Sequence, residues 1–239
     1  MSDSIRISIL MPTPLRLFLF RHGETEWSLS GQYSGRTDLS LTARGEEAAR
    51  ELGRRIEEIS FNCVLTSPLR RARQTCKLAG LGRAAKLEPD LAEWDNGDDE
   101  GRTPAEVLRS RPGWDLFRDG SPHGESPDGI SVRADNLIGR LRMFEGNVAL
   151  FSHGHFGRVL AARWIGLSVA QAQRFLLNTA SISILCYEHD WSGEPAIALW
   201  NSPSYEPREA RRVKQRAIER WENEGGEIPK LEFAQPVSN

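Results

Sequence analysis

The sequence predicts an α/β fold with a mostly parallel central sheet and helices on both faces, on three observations. Short apolar runs stand far apart in the chain: LRLFLF at 15–20, FNCVLT at 61–66 and VALF at 148–151. Each is nearly unbroken in hydrophobicity, as a strand covered on both faces must be. Each also runs into polar residues and then into a helical pattern, the alternation expected of parallel strands joined by helices.

The elements follow in order. Residues 1–14 read as an N-terminal extension, with too short an apolar stretch for the core of a signal peptide. After the first strand and a polar loop, Thr42 is placed to cap a helix running to about Ile59, with Glu46 and Glu47 at its positive end and Ala48, Leu52, Ile56 and Ile59 on its inner face. After the second strand, Ser67-Pro68 opens another helix, serine as N-cap and proline at the first helical position, with Leu69, Ala72, Cys76 and Ala79 facing inward. Residues 98–147 are rich in Gly, Pro and charge, contain a helical pattern near Asp128–Met143, and read as an insertion over the sheet edge. The third strand leads into a helix around Arg158–Gly166, and residues 181–187 and 195–200 read as later strands. The main domain is thus expected over 15–200. From 201 to 239 a helical extension, with Val213, Ala217 and Trp221 on one face, is expected to pack on the body or on a second subunit as a homodimer.

Composition narrows the function classes. The 239 residues carry 31 cationic and 33 anionic side chains, a net charge of −2, which gives no overall attraction to nucleic acid or to an anionic membrane. No apolar run approaches the length needed to cross a bilayer. Cys63, Cys76 and Cys186 are odd in number and lack a CxxC pair, which argues against a disulfide framework and a structural zinc site and makes the cytoplasm the expected location.

The chemistry lies where the three strands end. The first runs into Arg21-His22-Gly23-Glu24-Thr25, the second into Ser67-Pro68-Leu69-Arg70-Arg71, the third into Ser152-His153-Gly154-His155. Parallel strands present their C-terminal ends at one edge, where open α/β sheets bind ligands. Two histidines and several arginines therefore converge from remote segments. Arginine forks match phosphate oxygens, and helix N-termini offer further N–H donors to the same anion. A neutral imidazole among such cations is suited to attack on phosphorus. Gly23 is expected to permit a sharp turn after this nucleophile. Glu93, in LAEWDNGDDEG, is the proton donor expected for the leaving oxygen. Burial beside Trp94 raises its pKa and nearby arginines lower it, a balance the sequence leaves open. His155 either touches substrate or lines the following helix, and Trp94 and Trp114 either wall the substrate or pack in the core.

The blocks RHGETEW, GQYSGRTDLSLTARG, SPLRRARQT, EWDNGDDEG and SHGHFGR, taken together over roughly Leu15 to Trp200, resemble the histidine phosphatase superfamily. The resemblance implies a three-layer phosphoglycerate mutase-like fold and a phosphohistidine mechanism with neither metal nor cofactor. It assigns His22 as nucleophile, Arg21, Arg71 and His153 as the phosphate pocket, and Glu93 as proton donor. Finer details resemble the fungal-type sedoheptulose-1,7-bisphosphatase branch, including RDG...GE around Arg118–Glu125. Ser28, where most members have asparagine, agrees with that branch. Asn96, where mutases and that branch have tyrosine, departs from both. Thr25, Ser28, Gly35, Gly154, His155, Arg118, Glu125 and Ser126 are the expected substrate-binding positions.

The sequence therefore predicts a metal-independent phosphatase acting on a small phosphorylated metabolite, a sugar phosphate or bisphosphate. Arg102, Arg109, Arg111 and Arg118 of the insertion are the cations available to a second phosphate. The alternatives are a phosphoglycerate mutase, a phosphoprotein phosphatase and a non-catalytic phosphate-binding relative.

Overall fold

Alternation of side chains along the strands divides the core between the two faces of one sheet. In the computed structural model, which describes residues 13–188 and 193–203, the strands are β1 (Arg16–Arg21), β2 (Cys63–Thr66), β3 (Ala85–Leu87), β4 (Asn147–Ser152), β5 (Ser181–Tyr187) and β6 (Pro195–Pro203). Their spatial order is β3-β2-β4-β1-β5-β6. The four strands from β3 to β1 are parallel, and β5 and β6 add an antiparallel edge. Leu17, Leu19, Leu65, Val148 and Leu150 point to one side, and Phe18, Phe20, Val64, Ala149 and Phe151 to the other.

Helices cover both faces. On the phenylalanine side lie α2 (Ala43–Ile56), after the short α1 (Glu26–Ser30), and α3 (Arg70–Leu78); they contribute Leu52, Ile56 and Cys76 to that core. Thr42 caps α2 through its hydroxyl, which accepts from the Gly45 N–H at 3.0 Å. The inner face carries Leu52 and Ile56 as expected but Ala49 rather than Ala48, and the helix ends at Ile56, before Ile59. The opposite face is covered by α6 (Pro127–Leu141) and α7 (Gly154–Trp164), with α4 (Pro104–Ser110) and α5 (Leu116–Asp119) between β3 and α6.

Three expectations are corrected. The helix after β2 starts at Arg70 with Leu69 as cap residue, and Leu69 makes no side-chain capping bond. Ser67 is drawn away from the cap because its hydroxyl pairs with His153 at 2.7 Å. The helix after β4 begins at Gly154, four residues earlier than the pattern suggested. Finally, residues 201–203 extend β6; the rest of the expected C-terminal helix and homodimer contact, and residues 1–12 of the N-terminal extension, lie outside the described residues. The stretch 98–147 divides: α4 and α5 border the active edge, whereas α6 buries Ile130, Ala134, Leu137 and Leu141 in the main core.

Strand order positions the site. With β4 between β1 and β2, Arg21 pairs in register with Ser152, and Thr66 with Phe151. The ladders continue one residue further, His22 N–H to Ser152 O at 3.0 Å and Ser67 N–H to Phe151 O at 2.9 Å. Three polar blocks thus leave adjacent strands at one edge, as parallel sheets arrange their ligand sites.

Candidate active site

His22 leaves β1 almost fully buried. Its Nδ1 donates to the Gly23 carbonyl at 2.7 Å, which fixes the tautomer and leaves the Nε2 lone pair uncommitted. Burial pushes its pKa well below the usual value, Arg71 and Arg21 push the same way, and the Gly23 carbonyl opposes them only in part. The ring is therefore neutral at pH 7, the state in which imidazole is a nucleophile. Gly23 is needed for a reason other than a sharp turn. A Cβ there would stand 2.5 Å from the Gly45 carbonyl oxygen, and one on Gly45 2.2 Å from the Glu24 carbonyl oxygen. Two glycines let the loop after β1 cross the first turn of α2.

His153 lies beside His22, ring centroids 5.2 Å apart, and is fully buried. Its Nδ1 accepts from Arg71 Nε at 3.1 Å and its Nε2 donates to Ser67 Oγ at 2.7 Å. Desolvation and Arg71 hold its pKa well below normal. Arg71 is anchored by the carbonyls of Thr37 at 2.8 Å, Ser34 at 2.6 Å and Gly35 at 3.0 Å. Thr75 ties α3 to β1: its hydroxyl donates to the Arg71 carbonyl at 2.7 Å and accepts from the Gly23 N–H at 3.0 Å. Sequence reasoning missed the roles of Ser67 and Thr75, although both stand in the block that holds Arg71.

Arg21 donates through a terminal nitrogen to the Leu177 carbonyl, while its Nε is buried without a protein partner. Burial lowers its pKa to about 10, with Glu93 opposing, so it remains a cation at pH 7. Gly154 makes room for it, since a Cβ there would lie 3.2 Å from the guanidinium carbon.

Glu93 resolves the balance left open by the sequence. Its buried carboxylate accepts three backbone N–H bonds: from Trp94 at 2.9 Å, Phe156 at 2.7 Å and His155 at 3.0 Å. The last two belong to the first turn of α7, whose positive end favours an anion. Burial raises its pKa, but His155 and these three donors together hold it below the ordinary carboxylate value. Glu93 is ionised in the resting site.

A cavity of about 450 Å³ opens on this floor and includes Arg21, His22, Glu93 and Gly154 in its lining. Ser28 and His155 line it too. The Ser28 hydroxyl is also held in a reciprocal capping box with Thr25. Burial lowers the pKa of His155 to about 4, against the opposing charge of Glu93. Thr25 and Gly35 are buried behind the lining, and Gly35 supports Arg71 through its carbonyl.

Arg118, Glu125 and Ser126 do not line this cavity. Arg118 pairs with Asp119 at 2.7 Å, and Ser126 caps α6 by accepting from Gly129 N–H at 3.0 Å. Glu125 pairs with Arg133, which in turn donates to the carbonyls of Asp90 and Ala92, both at 2.8 Å, and so supports the segment that carries Glu93. Sequence reasoning missed the opposite wall: Trp27, Tyr33, Asp115, Phe117 and Arg158, joined there by Trp114. Only Arg158 had a readable signal, its spacing three residues after His155 on a helix. Among the described residues no cluster of three or more His, Cys, Asp or Glu side chains is placed to hold a metal ion, and no helix is long and apolar enough to cross a membrane.

The chain has relatives among known proteins. The chain is 40% identical over 192 residues to an acid phosphatase of Mycobacterium tuberculosis, covering 79% of this chain and 94% of the relative. It is 31% identical over 251 residues to the sedoheptulose 1,7-bisphosphatase of Saccharomyces cerevisiae, covering 77% and 92%. A mycobacterial glucosyl-3-phosphoglycerate phosphatase, solved with VO3, superposes with a TM-score of 0.69 at 27% identity, covering 78% of this chain and 98% of that one. Residues 17–203 match the histidine phosphatase superfamily (branch 1), and the chain belongs to that superfamily as a phosphoric monoester hydrolase.

Proposed function

We propose that the protein hydrolyses small sugar phosphates, without a metal, through a phosphohistidine on His22. The observation that carries this reading is the Nε2 lone pair of His22, left uncommitted by the Nδ1 bond to Gly23, in a cavity shared with Arg21. His22 Nε2 attacks phosphorus, and the bond from phosphorus to the leaving oxygen breaks. Arg21, whose Nε has no protein partner, holds the phosphoryl oxygens, and Arg71 and His153 join it by exchanging protein hydrogen bonds for the same oxygens. The leaving oxygen needs a proton, and Glu93 rests ionised. The proton therefore enters on the substrate monoanion, is taken up by Glu93 and is passed to the leaving oxygen. In the second step water attacks the phosphohistidine and the P–N bond breaks; Glu93 accepts the water proton and passes it to the departing phosphate, and free His22 and ionised Glu93 are restored. The yeast bisphosphatase and the mycobacterial glucosyl-3-phosphoglycerate phosphatase support a sugar phosphate as substrate.

Rapid quenching with 32P-labelled substrate tests the intermediate. The label is expected on the protein as an acid-labile, base-stable adduct, absent in His22→Ala, whose kcat falls by about 10⁴-fold or more. Activity lost to EDTA and restored by a divalent ion would sink the metal-free mechanism. A panel of sugar phosphates, phosphoglycerates and a phosphopeptide tests the substrate class; preference for the phosphopeptide, or net mutase turnover, overturns it. The reading includes a cytoplasmic location, in keeping with three unpaired cysteines, and a homodimer, which light scattering on the full chain checks.

A further inference from the structure

The wall facing the phosphate floor has a composition that bears on what the phosphate is attached to. Trp27, Tyr33, Trp114 and Phe117 supply its aromatic area, and its charged side chains are Arg158 and Asp115. Arg158 is held in place: its Nε donates to the Ala172 carbonyl at 3.1 Å, a terminal nitrogen donates to the Gln173 carbonyl, and its guanidinium lies 4.4 Å above the Phe117 ring. Asp115 uses one carboxylate oxygen to cap α5, accepting from Phe117 N–H at 3.0 Å and Arg118 N–H at 3.2 Å. Its other oxygen accepts neither bond. Among the described residues, one fixed cation and one fixed anion leave this wall without net charge.

The four insertion arginines expected to meet a second phosphate are elsewhere, and none lines the cavity. Arg102 is bound to Asp99 at 2.9 Å and to Ser110 at 2.9 Å. Arg111 pairs with Asp99 and covers the outside of Trp114, 4.8 Å from its ring centroid. Arg118 is taken by Asp119, and Arg109 is exposed outside the lining. A second phosphate bears close to two negative charges at pH 7. Against Arg158 it would gain one attraction and against Asp115 suffer one repulsion, while losing its hydration. A polyol loses far less on entry, can donate hydroxyl hydrogens to Asp115, and can lay its C–H face on the aromatic rings.

We infer that this cavity selects phosphate monoesters whose leaving group carries no net charge, a sugar or polyol monophosphate rather than a bisphosphate, and that Asp115 determines this choice. The inference deepens the phosphatase reading and rests on it. Its test is the ratio of kcat/KM for fructose 6-phosphate and fructose 1,6-bisphosphate, with p-nitrophenyl phosphate as a reference. Wild type is expected to favour the monophosphate by about tenfold or more, the scale of one like charge a few ångströms away in a partly desolvated site. Asp115→Asn keeps an oxygen to cap α5 and removes the charge. It is expected to shrink the ratio about tenfold by improving turnover of the bisphosphate. Both substrates are measured on one preparation, so any loss of folded enzyme cancels.

Equal or better turnover of the bisphosphate by wild type overturns the inference, as does an unchanged ratio in Asp115→Asn. Hydrolysis of p-nitrophenyl phosphate with neither sugar ester accepted also overturns it, while leaving phosphatase chemistry intact. Failure to hydrolyse all three, with no labelled phosphohistidine, overturns the phosphatase reading beneath it.

Discussion

The floor and the wall of the cavity are built differently. On the floor, His22, Arg71, His153 and Glu93 are all buried, and each is held by at least one backbone or side-chain hydrogen bond of 3.1 Å or shorter. On the wall, Trp27, Trp114, Asp115 and Arg158 are only partly buried, and Leu108 beside them is exposed. Arg21, whose buried Nε has no protein partner, is the cation that meets the cavity, whereas Arg71 and His153 lie outside the lining with their donors spent largely on protein acceptors. The wall, anchored through Arg158 and Asp115 and through the buried Tyr33 and Phe117, is open at Trp27 and Leu108, where leaving groups of different size can extend. Under the proposed function the difference is a division of labour: the floor would set the chemistry and the wall would set which ester receives it. Variants on the floor should lower kcat for all sugar esters alike, with loss of Glu93 sparing only esters whose leaving group needs no proton, and wall variants should alter the ranking among sugar esters.

The largest effect that sharpens this contrast, beyond loss of the nucleophile itself, is expected at Glu93. In Glu93→Gln the amide oxygen can accept from Trp94 and Phe156 as Oε1 does, the amide NH2 faces the His155 N–H that Oε2 accepted, and the side chain cannot carry a proton to the leaving oxygen. For a sugar phosphate, kcat is expected to fall by about 10²–10⁴-fold, the usual range for a positioned general acid. For p-nitrophenyl phosphate, whose leaving phenolate needs no proton, the loss should be much smaller. Steady-state kinetics on the two substrates checks this, and equal losses would mean that Glu93 acts only as a cap on α7.

The floor should also make the unliganded protein sensitive to acid. His22 and His153 are buried with pKa values held well below normal by desolvation and by the neighbouring arginines. In the unfolded chain the same rings take up protons below about pH 6.5, so lowering the pH favours the unfolded state. The stability they contribute is present above pH 6.5 and is lost as the pH falls beneath it. Each ring accounts for at most about 1.4 kcal/mol per pH unit, a slope approached only well below pH 6.5. Urea unfolding followed at pH 7, 6 and 5 measures the slope. A flat profile would show that the floor is more hydrated than its burial implies.

Legibility in the sequence follows the same division. The floor could be read because its residues follow apolar runs directly: a strand buried on both faces has a strong signature, and parallel strands end together. Glu93 could be found but not its ionisation, which depends on the N–H groups of a helix 62 residues further along the chain. The wall could not be read. Trp27 stands in the five-residue α1, Tyr33 in the loop after it, and Asp115 caps a four-residue helix; segments this short carry no periodicity that marks which way their residues face. The motif around Arg118–Glu125 misled in the opposite sense, since its glutamate reaches the site only through Arg133 and the segment that Arg133 supports.

Ser67 offers the smallest and most discriminating test. The sequence suggested a helix cap, whereas the structure makes it the partner that fixes the tautomer of His153. With Ser67 accepting at Nε2, Nδ1 is left to accept from Arg71, and the chain from Arg71 through His153 to Ser67 is held in one orientation. Ser67→Ala leaves the Nε2 proton without its buried acceptor and allows the ring to turn or exchange tautomers. The expected cost is about tenfold in kcat for sugar phosphates and p-nitrophenyl phosphate alike, with about 1 kcal/mol of stability. Ser67→Thr, which keeps the hydroxyl, should recover part of both. If Ser67→Ala changed the ranking of substrates instead of lowering kcat uniformly, the separation between a catalytic floor and a selective wall would fail at its centre, because His153 would then be reading the leaving group.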